Sequence, residues 1–310
     1  MPEVSPILPE DTEEMPDVSQ ATPQTKTDIM TMLRAEGFRP NRRRGQNFLV
    51  DGNLMRLVVE SAELTPRDLA FEVGTGTASL TRMLSAAAGE VVTVEVDPML
   101  QSVGERVLAD CANVTRIEGD ALEGKHHVSA AAMDALRSGA ARGLRLKLVA
   151  NLPYSIATPL LMNLLWSDVE FERMVFTVQR EMAERIAAVP GDDAYGWVSV
   201  IVALAGSARI VRRFPPTVFW PKPTIDSSLV VLSPAAGWRR GIDVERLQRF
   251  GTFVFQQQRK TSQRILRDYL KRRGVAQLPE AVLGAVGIDP QTRGNRLRPA
   301  DILKLSQAIP

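Results

Sequence analysis

Short apolar runs alternate with amphipathic helical segments over residues 54–233, and this alternation restricts the possible folds more than any other feature of the sequence. The runs are nearly continuous and rich in β-branched residues, which is typical of strands that are buried on both faces of a sheet. Alternating strands and helices predict βαβ units, and therefore an α/β domain with a parallel sheet. The predicted strands are Leu69–Val73, Val91–Val96, Val114–Glu118, Leu146–Ala150, Met174–Val178, Ala208–Phe214 and Ser228–Leu232. The predicted helices are Leu54–Ala62, Ala78–Ala87, Met99–Ala109 and Thr158–Trp166.

Two segments depart from this pattern. Residues 1–28 are rich in Pro, Thr, Ser and acidic residues and contain few large apolar ones, so they cannot bury enough surface to fold. We predict a disordered acidic tail over 1–28, with ordered structure from about Ile29. The Ala- and Gly-rich segment Glu123–Leu144 is long for a connection, and we interpret it as a surface insertion.

The C-terminal quarter of the chain carries helical patterns and most of the basic charge. We predict an α/β domain over 29–235 and a small all-helical domain over 236–310. Residues 236–310 hold 15 Lys and Arg against 6 Asp and Glu, although the net charge of the whole chain is only +2. This asymmetry indicates either an anionic partner or a solvated basic surface. The predicted helical stretches are Val244–Arg273, Glu280–Val286 and Pro299–Gln307.

Composition excludes several classes of protein. Hydrophobic residues make up 45% of the chain and charged residues 24%, which are ordinary globular values. Because Cys111 is the single cysteine, an intrachain disulfide and a thiolate zinc site are excluded, and we expect a reducing, cytoplasmic setting. No run of about 18 apolar residues predicts a membrane span, and the acidic start does not resemble a signal peptide. The pair His126 and His127 lacks a third ligand at useful spacing, so we expect a solvated loop and no metal.

A glycine turn and acids at strand ends predict a nucleoside site. The strand Leu69–Val73 leads into Gly74 and Gly76, where a ligand could approach the backbone closely. Glu95 ends the next strand, at a position suited to ribose hydroxyls, and Asp120 follows the third. Ser79 stands where a dinucleotide fingerprint needs Gly or Ala, which disfavours NAD and FAD. A ligand with adenosine and amino-acid parts, such as S-adenosylmethionine, fits better, although each feature alone also occurs in ordinary turns and strand ends.

The fourth predicted strand runs directly into Asn-Leu-Pro-Tyr, the element Asn151–Tyr154. A carboxamide oxygen and a backbone carbonyl can accept both hydrogens of an exocyclic amine. They would thereby direct the nitrogen lone pair towards a methyl group, without a titratable base. Pro153 stiffens the turn, and Tyr154 offers a ring for base stacking worth about 1–3 kcal/mol. The element therefore predicts methyl transfer to an adenine N6.

At these residues the sequence resembles the small-subunit ribosomal RNA adenine dimethyltransferase family, over about residues 38–307. The resemblance implies a Rossmann-like class I methyltransferase sheet, and methylation of two adjacent adenosines near the 3′ end of 16S rRNA in the immature small ribosomal subunit. We expect the protein to act there as a monomer. The matching motifs are Gly45–Leu49, Glu72–Gly76, Glu95–Asp97, Gly119–Ala121, Asn151–Tyr154, Pro221–Ser227 and Gln258–Thr261.

The resemblance also implies residue roles. Asn151 and the Leu152 carbonyl would orient the target N6, and Tyr154 and Phe219 would sandwich the target base. The implied S-adenosylmethionine site consists of Asn47, Leu49, Gly74, Glu95, Asp120 and Asn151. The implied catalytic set consists of Asn151, Leu152, Pro153, Tyr154 and Phe219.

Basic clusters predict where RNA binds. Lys260, Arg264, Arg267 and Lys271 recur at helical spacing and form one stripe, opposite an apolar face for the core. The alternative is an exposed helix face without a partner. The predicted RNA-binding residues are Arg42, Arg43, Arg44, Arg259, Lys260, Arg264, Arg267 and Lys271.

Two other functions remain open at this point. One is a related enzyme that methylates an adenine of 23S rRNA, and the other is a non-catalytic RNA-binding assembly factor. Pro221–Ser227 and the long helical C-terminal region favour the 16S rRNA enzyme over the first. The intact Asn151–Tyr154 element argues against the second.

Overall fold

The structure is a computed structural model that describes residues 24–40, 45–124 and 127–309. Its strands are β1 (Phe48–Leu49), β2 (Asp68–Val73), β3 (Glu90–Glu95), β4 (Val114–Glu118), β5 (Leu122–Glu123), β6 (His127–Val128), β7 (Arg145–Asn151), β8 (Phe171–Gln179), β9 (Gly206–Phe214), β10 (Phe219–Trp220) and β11 (Ser227–Pro234). Its α-helices are α1 (Lys26–Ala35), α2 (Gly52–Ala62), α3 (Ser79–Ala87), α4 (Pro98–Val107), α5 (Ala130–Ala141), α6 (Ala157–Trp166), α7 (Arg180–Ala187), α8 (Trp197–Ala205), α9 (Val244–Gln256), α10 (Ser262–Arg273), α11 (Pro279–Val286) and α12 (Pro299–Ala308).

Seven strands form one mixed sheet in the order β4-β3-β2-β7-β8-β11-β9. Strand β11 runs antiparallel to both of its neighbours, β8 and β9, and the other strands run in one direction. The chain leaves β2 towards one edge and returns at β7, so the order reverses between these two strands. Ligands of open α/β sheets bind at the carboxyl ends of the strands beside such a reversal.

The predicted strands and helices of the α/β region are all present, with ends that shift by a few residues. Helices α7 and α8 were not predicted. The sequence of α8 is almost continuously apolar, and periodicity alone cannot distinguish such a run from a buried strand. This helix is buried because it packs between the sheet and the C-terminal helices.

The interpretation of Glu123–Leu144 as a surface insertion is wrong. The segment forms α5, which packs on β2, β3 and β7 and is the crossover helix between β4 and β7. Its Gly139 allows this close packing, because a Cβ there would lie 2.3 Å from a methyl group of Leu69. The small residues that suggested a loose loop therefore serve helix–sheet contact.

Ordered structure also begins earlier than the predicted Ile29. Helix α1 starts at Lys26, and Thr25 and Asp28 form a capping box in which each backbone N–H donates to the other side chain. Ile29 and Leu33 are fully buried. Asp28 thus belongs to a helix N-terminus rather than to the acidic tail. Residues 1–23 lie outside the described part of the chain.

The helices after Ala236 share a hydrophobic core with α8. The Tyr195 hydroxyl donates to the Leu297 carbonyl at 2.9 Å, and the Trp197 ring lies against Gly251 of α9. A Cβ on Gly251 would be only 2.1 Å from that ring. The C-terminal helices are therefore packed tightly onto the α/β part.

We expect Gly251→Ala to lower the free energy of unfolding by about 1–3 kcal/mol, because the Trp197 ring leaves no room for the methyl group. Gly284→Ala is the matched control. Gly284 is an exposed position of α11, and a Cβ added there would have nothing within 4 Å, so this change should raise stability by about 0.5–1 kcal/mol. Urea unfolding of both variants tests the contact, and equal effects would contradict it.

Candidate active site

The cleft at the carboxyl ends of β2, β3, β4 and β7 has a volume of about 590 Å³, including the space open to solvent. The segment Gly45–Phe48 covers part of it. The Gln46 side chain anchors this segment by donating to the Asp97 carboxylate at 3.0 Å. The lining residues are Gly45, Gln46, Asn47, Phe48, Val73, Gly74, Gly76, Val94, Glu95, Val96, Leu100, Gly119, Asp120, Ala121, Asn151, Pro153 and Ile156.

The glycine turn after β2 needs its glycines for conformation and for space. Gly74 and Gly76 have φ angles of 89° and 56°, in the left-handed region that favours glycine. Space is limited at Gly76, where a Cβ would lie 3.1 Å from the Phe48 ring, whereas a Cβ on Gly74 would make only ordinary contact with Pro153 at 3.6 Å. The bare backbone at this point therefore leaves the floor of the cleft free for a ligand.

Glu95 and Asp120 project from the ends of β3 and β4 into the cleft. The carboxylate of Glu95 accepts the N–H groups of Gly76, Val96 and Asp97 at 2.9–3.0 Å, which fixes its orientation. Its side chain is 7% exposed, and burial raises its pKa. Asp120 is exposed and accepts the Leu122 N–H through one oxygen. Both acids lie where the sequence placed them, with geometry that suits hydroxyl or amine donors.

A buried carboxyl group lies beneath the glycine turn, and the sequence predicted no role for it beyond its place in the motif Glu72–Gly76. Glu72 is 1% exposed and accepts the hydroxyl groups of Thr81 and Thr93 at 2.6 and 2.7 Å. Burial raises the pKa of Glu72 to about 8. The available signal was an acid in the middle of an apolar strand, Leu69–Val73. This pattern marks a buried carboxyl but does not reveal its hydroxyl partners.

The side chain of Asn151 is held in one orientation at the end of β7. Its Nδ2 donates to the Asn47 carbonyl at 2.8 Å, and its Oδ1 accepts the hydroxyl of Thr177 on the adjacent strand β8. The bond from Thr177 fixes the direction of Oδ1, and this oxygen keeps a second lone pair. Thr177 lies 26 residues away in the chain, so no local signal could identify it as the partner of Asn151.

Tyr154 is half-buried, and its hydroxyl lies 2.6 Å from the Ser227 hydroxyl. Burial raises the pKa of Tyr154, so the phenol stays protonated at neutral pH. The neighbouring Gly45 passes close to this element, since a Cβ there would lie 3.2 Å from the Tyr154 nitrogen. The Gly45–Phe48 segment and Asn151–Tyr154 therefore lie against each other beside the cleft.

Phe219 does not occupy the predicted position beside the cleft. Its ring is 2% exposed and packs 6.5 Å from the Phe214 ring, in the core beneath α2. Strand β10 pairs with β1, which turns Phe219 inwards together with its partner Leu49. Alternation along β10 places the next residue, Trp220, on the other side, stacked on Phe48. In this structure the Phe219 ring is not open to a base.

Leu49 also differs from its expected place. It is buried in the same core as Phe219 and borders a smaller cavity with Glu72, Gly74 and Asn151 rather than the main cleft. Any effect of Leu49 on cofactor binding would therefore be indirect, through the packing of the core beneath the glycine turn.

We expect Phe219→Ala to lower the free energy of unfolding by about 3–5 kcal/mol, because the substitution empties a fully packed site. Phe219→Leu keeps most of the apolar volume and should cost clearly less. Urea unfolding measures both. A loss below about 1 kcal/mol for the alanine variant would show that the ring is not part of the core.

The predicted basic stripe is only partly a free surface. Arg259, Arg264, Arg267 and Lys271 are exposed. Lys260 precedes α10 and forms an ion pair with Asp268 at 2.9 Å, so it does not belong to the exposed row. The opposite apolar face is buried as predicted, with Ile265, Leu266, Tyr269 and Leu270. Arg42, Arg43, Arg44 and His126 lie outside the described residues.

Two features, a metal-binding group and a membrane-spanning helix, are absent from the described residues. No group of three or more His, Cys, Asp or Glu side chains within them is arranged to hold a metal ion. No helix in the same part of the chain is long and apolar enough to span a bilayer.

The sheet order, the antiparallel β11 and the glycine turn after β2 define a class I methyltransferase, as predicted. Two solved structures share this fold at 23% sequence identity. A dimethyladenosine transferase from Plasmodium falciparum has a TM-score of 0.68 and covers 82% of this chain and 94% of its own. The 23S rRNA methyltransferase ErmE has a TM-score of 0.61, with coverages of 84% and 99%.

The profile of the family described as ribosomal RNA adenine dimethylase matches residues 37–309, and the chain belongs to this family. Its relatives include a ribosomal RNA small subunit methyltransferase A from Moorella thermoacetica, 37% identical over 90% of this chain and 96% of the relative. Another protein of that name, from Pelotomaculum thermopropionicum, is 38% identical over 91% and 95%. The predicted family and enzyme class are confirmed.

Proposed function

We propose that this protein transfers methyl groups from S-adenosylmethionine to N6 of two adjacent adenosines near the 3′ end of 16S rRNA, in the immature small ribosomal subunit. The observation that carries this proposal is the fixed carboxamide of Asn151, held by Thr177 and Asn47 at the rim of the cleft. The relatives are named as small subunit methyltransferases, which supports small-subunit rRNA as the substrate. The name of ErmE refers instead to 23S rRNA. The cleft is formed by the carboxyl ends of β2, β3, β4 and β7, which all belong to one chain, and this is consistent with a monomer.

The residues of the cleft fit the cofactor. Glu95 would accept the ribose hydroxyl groups, and Asp120 the adenine amine. The apolar side chains of Val96, Leu100 and Ile156 border the cleft and offer contact to a purine ring. The backbone of Gly74 would lie next to the methionine part of the cofactor. A side chain at this position would leave less room for that part. S-adenosylmethionine, when bound, supplies an electrophilic methyl group on a sulfonium.

The chain itself orients the target nitrogen. The free lone pair of Asn151 Oδ1 and the Leu152 carbonyl accept the two N6 hydrogens of the adenine. This arrangement favours a pyramidal nitrogen whose lone pair is directed at the methyl group, so the gain comes from orientation. A base at this point is not needed, which agrees with a Tyr154 phenol that stays protonated.

The target base must leave its stack to reach the cleft, which costs least in an unpaired loop. Tyr154 is half-buried next to the cleft residue Pro153, and its ring would stack on the base. Phe219 lies in the core and does not line the cleft. A second stacking ring at this position would require β10 to move away from β1.

The test uses the purified protein, labelled S-adenosylmethionine, and small and large ribosomal subunits from cells that lack the enzyme. We expect label in the small subunit, recovered as N6,N6-dimethyladenosine by mass spectrometry of the rRNA. Label in the large subunit would favour a 23S rRNA enzyme. RNA binding without transfer to either subunit would favour a non-catalytic assembly factor.

A further inference from the structure

A groove of about 1350 Å³, including the space open to solvent, lies between α9 and α10 and shares no residue with the active-site cleft. Its walls carry guanidinium, carboxamide and hydroxyl groups, and its floor consists of the rings of Phe253 and Tyr269. None of the sequence motifs described above includes it. The predicted basic stripe of Arg264, Arg267 and Lys271 lies on the outer face of α10 and not on this side of the helix.

The groove is positively charged at the end formed by α10. Arg272 and Arg273 are exposed and form no ion pair with any residue in the described ranges. Arg249, across the groove, lies 3.5 Å from Glu245, and both of these side chains are largely exposed. Because that pair neutralises one end, the two uncompensated charges of α10 define where an anion would bind.

The hydroxyl of Tyr269 is the second feature of this groove that calls for a ligand. The residue is 5% exposed, and its ring packs edge-on against Phe250 and Phe253 at 5.1 Å. Its side chain lines the groove, and its hydroxyl has no hydrogen-bond partner among residues 24–40, 45–124 and 127–309. Solvent reaches this hydroxyl, since it is not one of the fully buried side-chain atoms without a partner. A polar atom of a bound molecule can therefore replace water as its hydrogen-bond partner.

The remaining walls indicate the chemistry of that molecule. Gln248, Thr252 and Gln256 lie along one side of α9 and each carries both a donor and an acceptor. An acidic peptide would offer carboxylates to the arginines and backbone amides to these side chains, and it is therefore an outcome of the test below. RNA is the favoured occupant because the proposed substrate is already an RNA. A single-stranded RNA segment offers phosphates for the arginines, and ribose hydroxyls and base edges for the carboxamides.

We propose that this groove binds a single-stranded segment of RNA, with phosphates at Arg272 and Arg273 and a ribose or base at Tyr269. The proposal rests on the proposed function, because it assigns a second contact to the same substrate. Arg264 and Lys271 lie on the opposite side of α10 from Tyr269. RNA would therefore contact two sides of this helix.

Cations in the last turn of a helix also stabilise the helix, so loss of charge alone is not a sufficient test. The test variant is Arg272→Gln/Arg273→Gln, and the matched control is Arg240→Gln/Lys304→Gln. The control removes the same charge from two exposed positions of the C-terminal region outside the groove. Circular dichroism and urea unfolding check that both variants are folded.

Binding of a labelled single-stranded oligouridine is measured over a range of salt concentrations. We expect the test variant to bind about tenfold more weakly, with a slope of log K against log salt reduced by about 1.4, or about 0.7 for each lost phosphate contact. The control should keep the wild-type slope. Equal slopes for the test variant and the control would overturn the proposal.

Tyr269→Phe is a second variant that does not depend on charge. It keeps the ring packing and removes a hydroxyl that has no partner among the described residues, so its unfolding should match that of the wild type. We expect oligouridine affinity to fall about three- to tenfold, the value of one hydrogen bond. Unchanged affinity would remove Tyr269 from the proposed site.

Two further readouts separate the possible failures. Polyglutamate that displaces the oligouridine as well as RNA of equal charge would assign the groove to acidic polymers and overturn the choice of RNA. Methyl transfer to small subunits is measured in parallel. A wild type that transfers no methyl group, while Arg272→Gln/Arg273→Gln still loses RNA affinity, would reject the proposed function and retain the groove.

Discussion

Asn151→Ala is expected to lower kcat for methyl transfer to small ribosomal subunits by at least about a hundredfold. The carboxamide acts on the target nitrogen most strongly as the nitrogen becomes pyramidal, so its loss affects the transition state more than the bound substrate. Removal of one preorganised polar contact of this kind costs about a hundredfold or more in other enzymes. The measurement is incorporation of labelled methyl groups at saturating cofactor and subunit concentrations.

Thr177→Val is the matched control for this prediction. It removes the hydroxyl that holds Asn151 Oδ1 but keeps the side-chain shape and the carboxamide itself. We expect a smaller loss, about tenfold in kcat, corresponding to the net value of one hydrogen bond. If Asn151→Ala kept its rate within about twofold of the wild type, the orienting role of Asn151 would be rejected.

Glu72→Gln is expected to make stability depend much less on pH between about 5 and 8 than it does in the wild type, which should lose stability over this range. Burial raises the pKa of Glu72 to about 8 in the folded protein, from its ordinary value of 4.5. Between these two values the folded state binds more protons than the unfolded state. Stability from the neutral carboxyl is therefore complete below the unfolded pKa and is lost as the pH rises through the folded pKa.

The expected size of this effect is large for one side chain. A shift of this extent corresponds to a loss of up to about 5 kcal/mol at high pH, as an order of magnitude. Gln keeps the shape of a protonated Glu, and its single oxygen can accept both threonine hydroxyls. The variant should therefore exceed the wild type in stability at pH 8 and match it near pH 5.

Urea unfolding at several pH values provides the measurement. Glu60→Gln changes the same side chain at an exposed position of α2 and serves as the matched control. Parallel curves for the wild type and Glu72→Gln would show that Glu72 is ionised in the folded protein.

Much of the fold and part of the site could be predicted because the signals are local. The β-branched runs, the Gly74–Gly76 turn and the acids at strand ends each depend on neighbouring residues in the chain. Parallel strands bring their carboxyl ends to one edge of the sheet, so Glu95, Asp120 and Asn151 follow from strand boundaries alone. The predicted functional class depended on this regularity.

The contacts that hold the site were not predictable from the sequence. Thr177 reaches Asn151 only because β8 lies next to β7, and Phe219 turns inwards only because β10 pairs with β1. The raised pKa of Glu72 depends on its burial beneath the turn, among threonines from two other elements. The direction and partners of a side chain depend on strand neighbours that are distant in the chain.

Composition could also mislead where small residues had two interpretations. The Ala and Gly residues of α5 are equally typical of a loose loop and of a helix that approaches a sheet closely. Local propensity determined where strands, turns and helices begin in this chain, because hydrophobic period and turn chemistry act between near neighbours. The sheet order then set which carboxyl, carboxamide and aromatic groups are buried, paired or open to a ligand, because burial depends on contacts between distant segments.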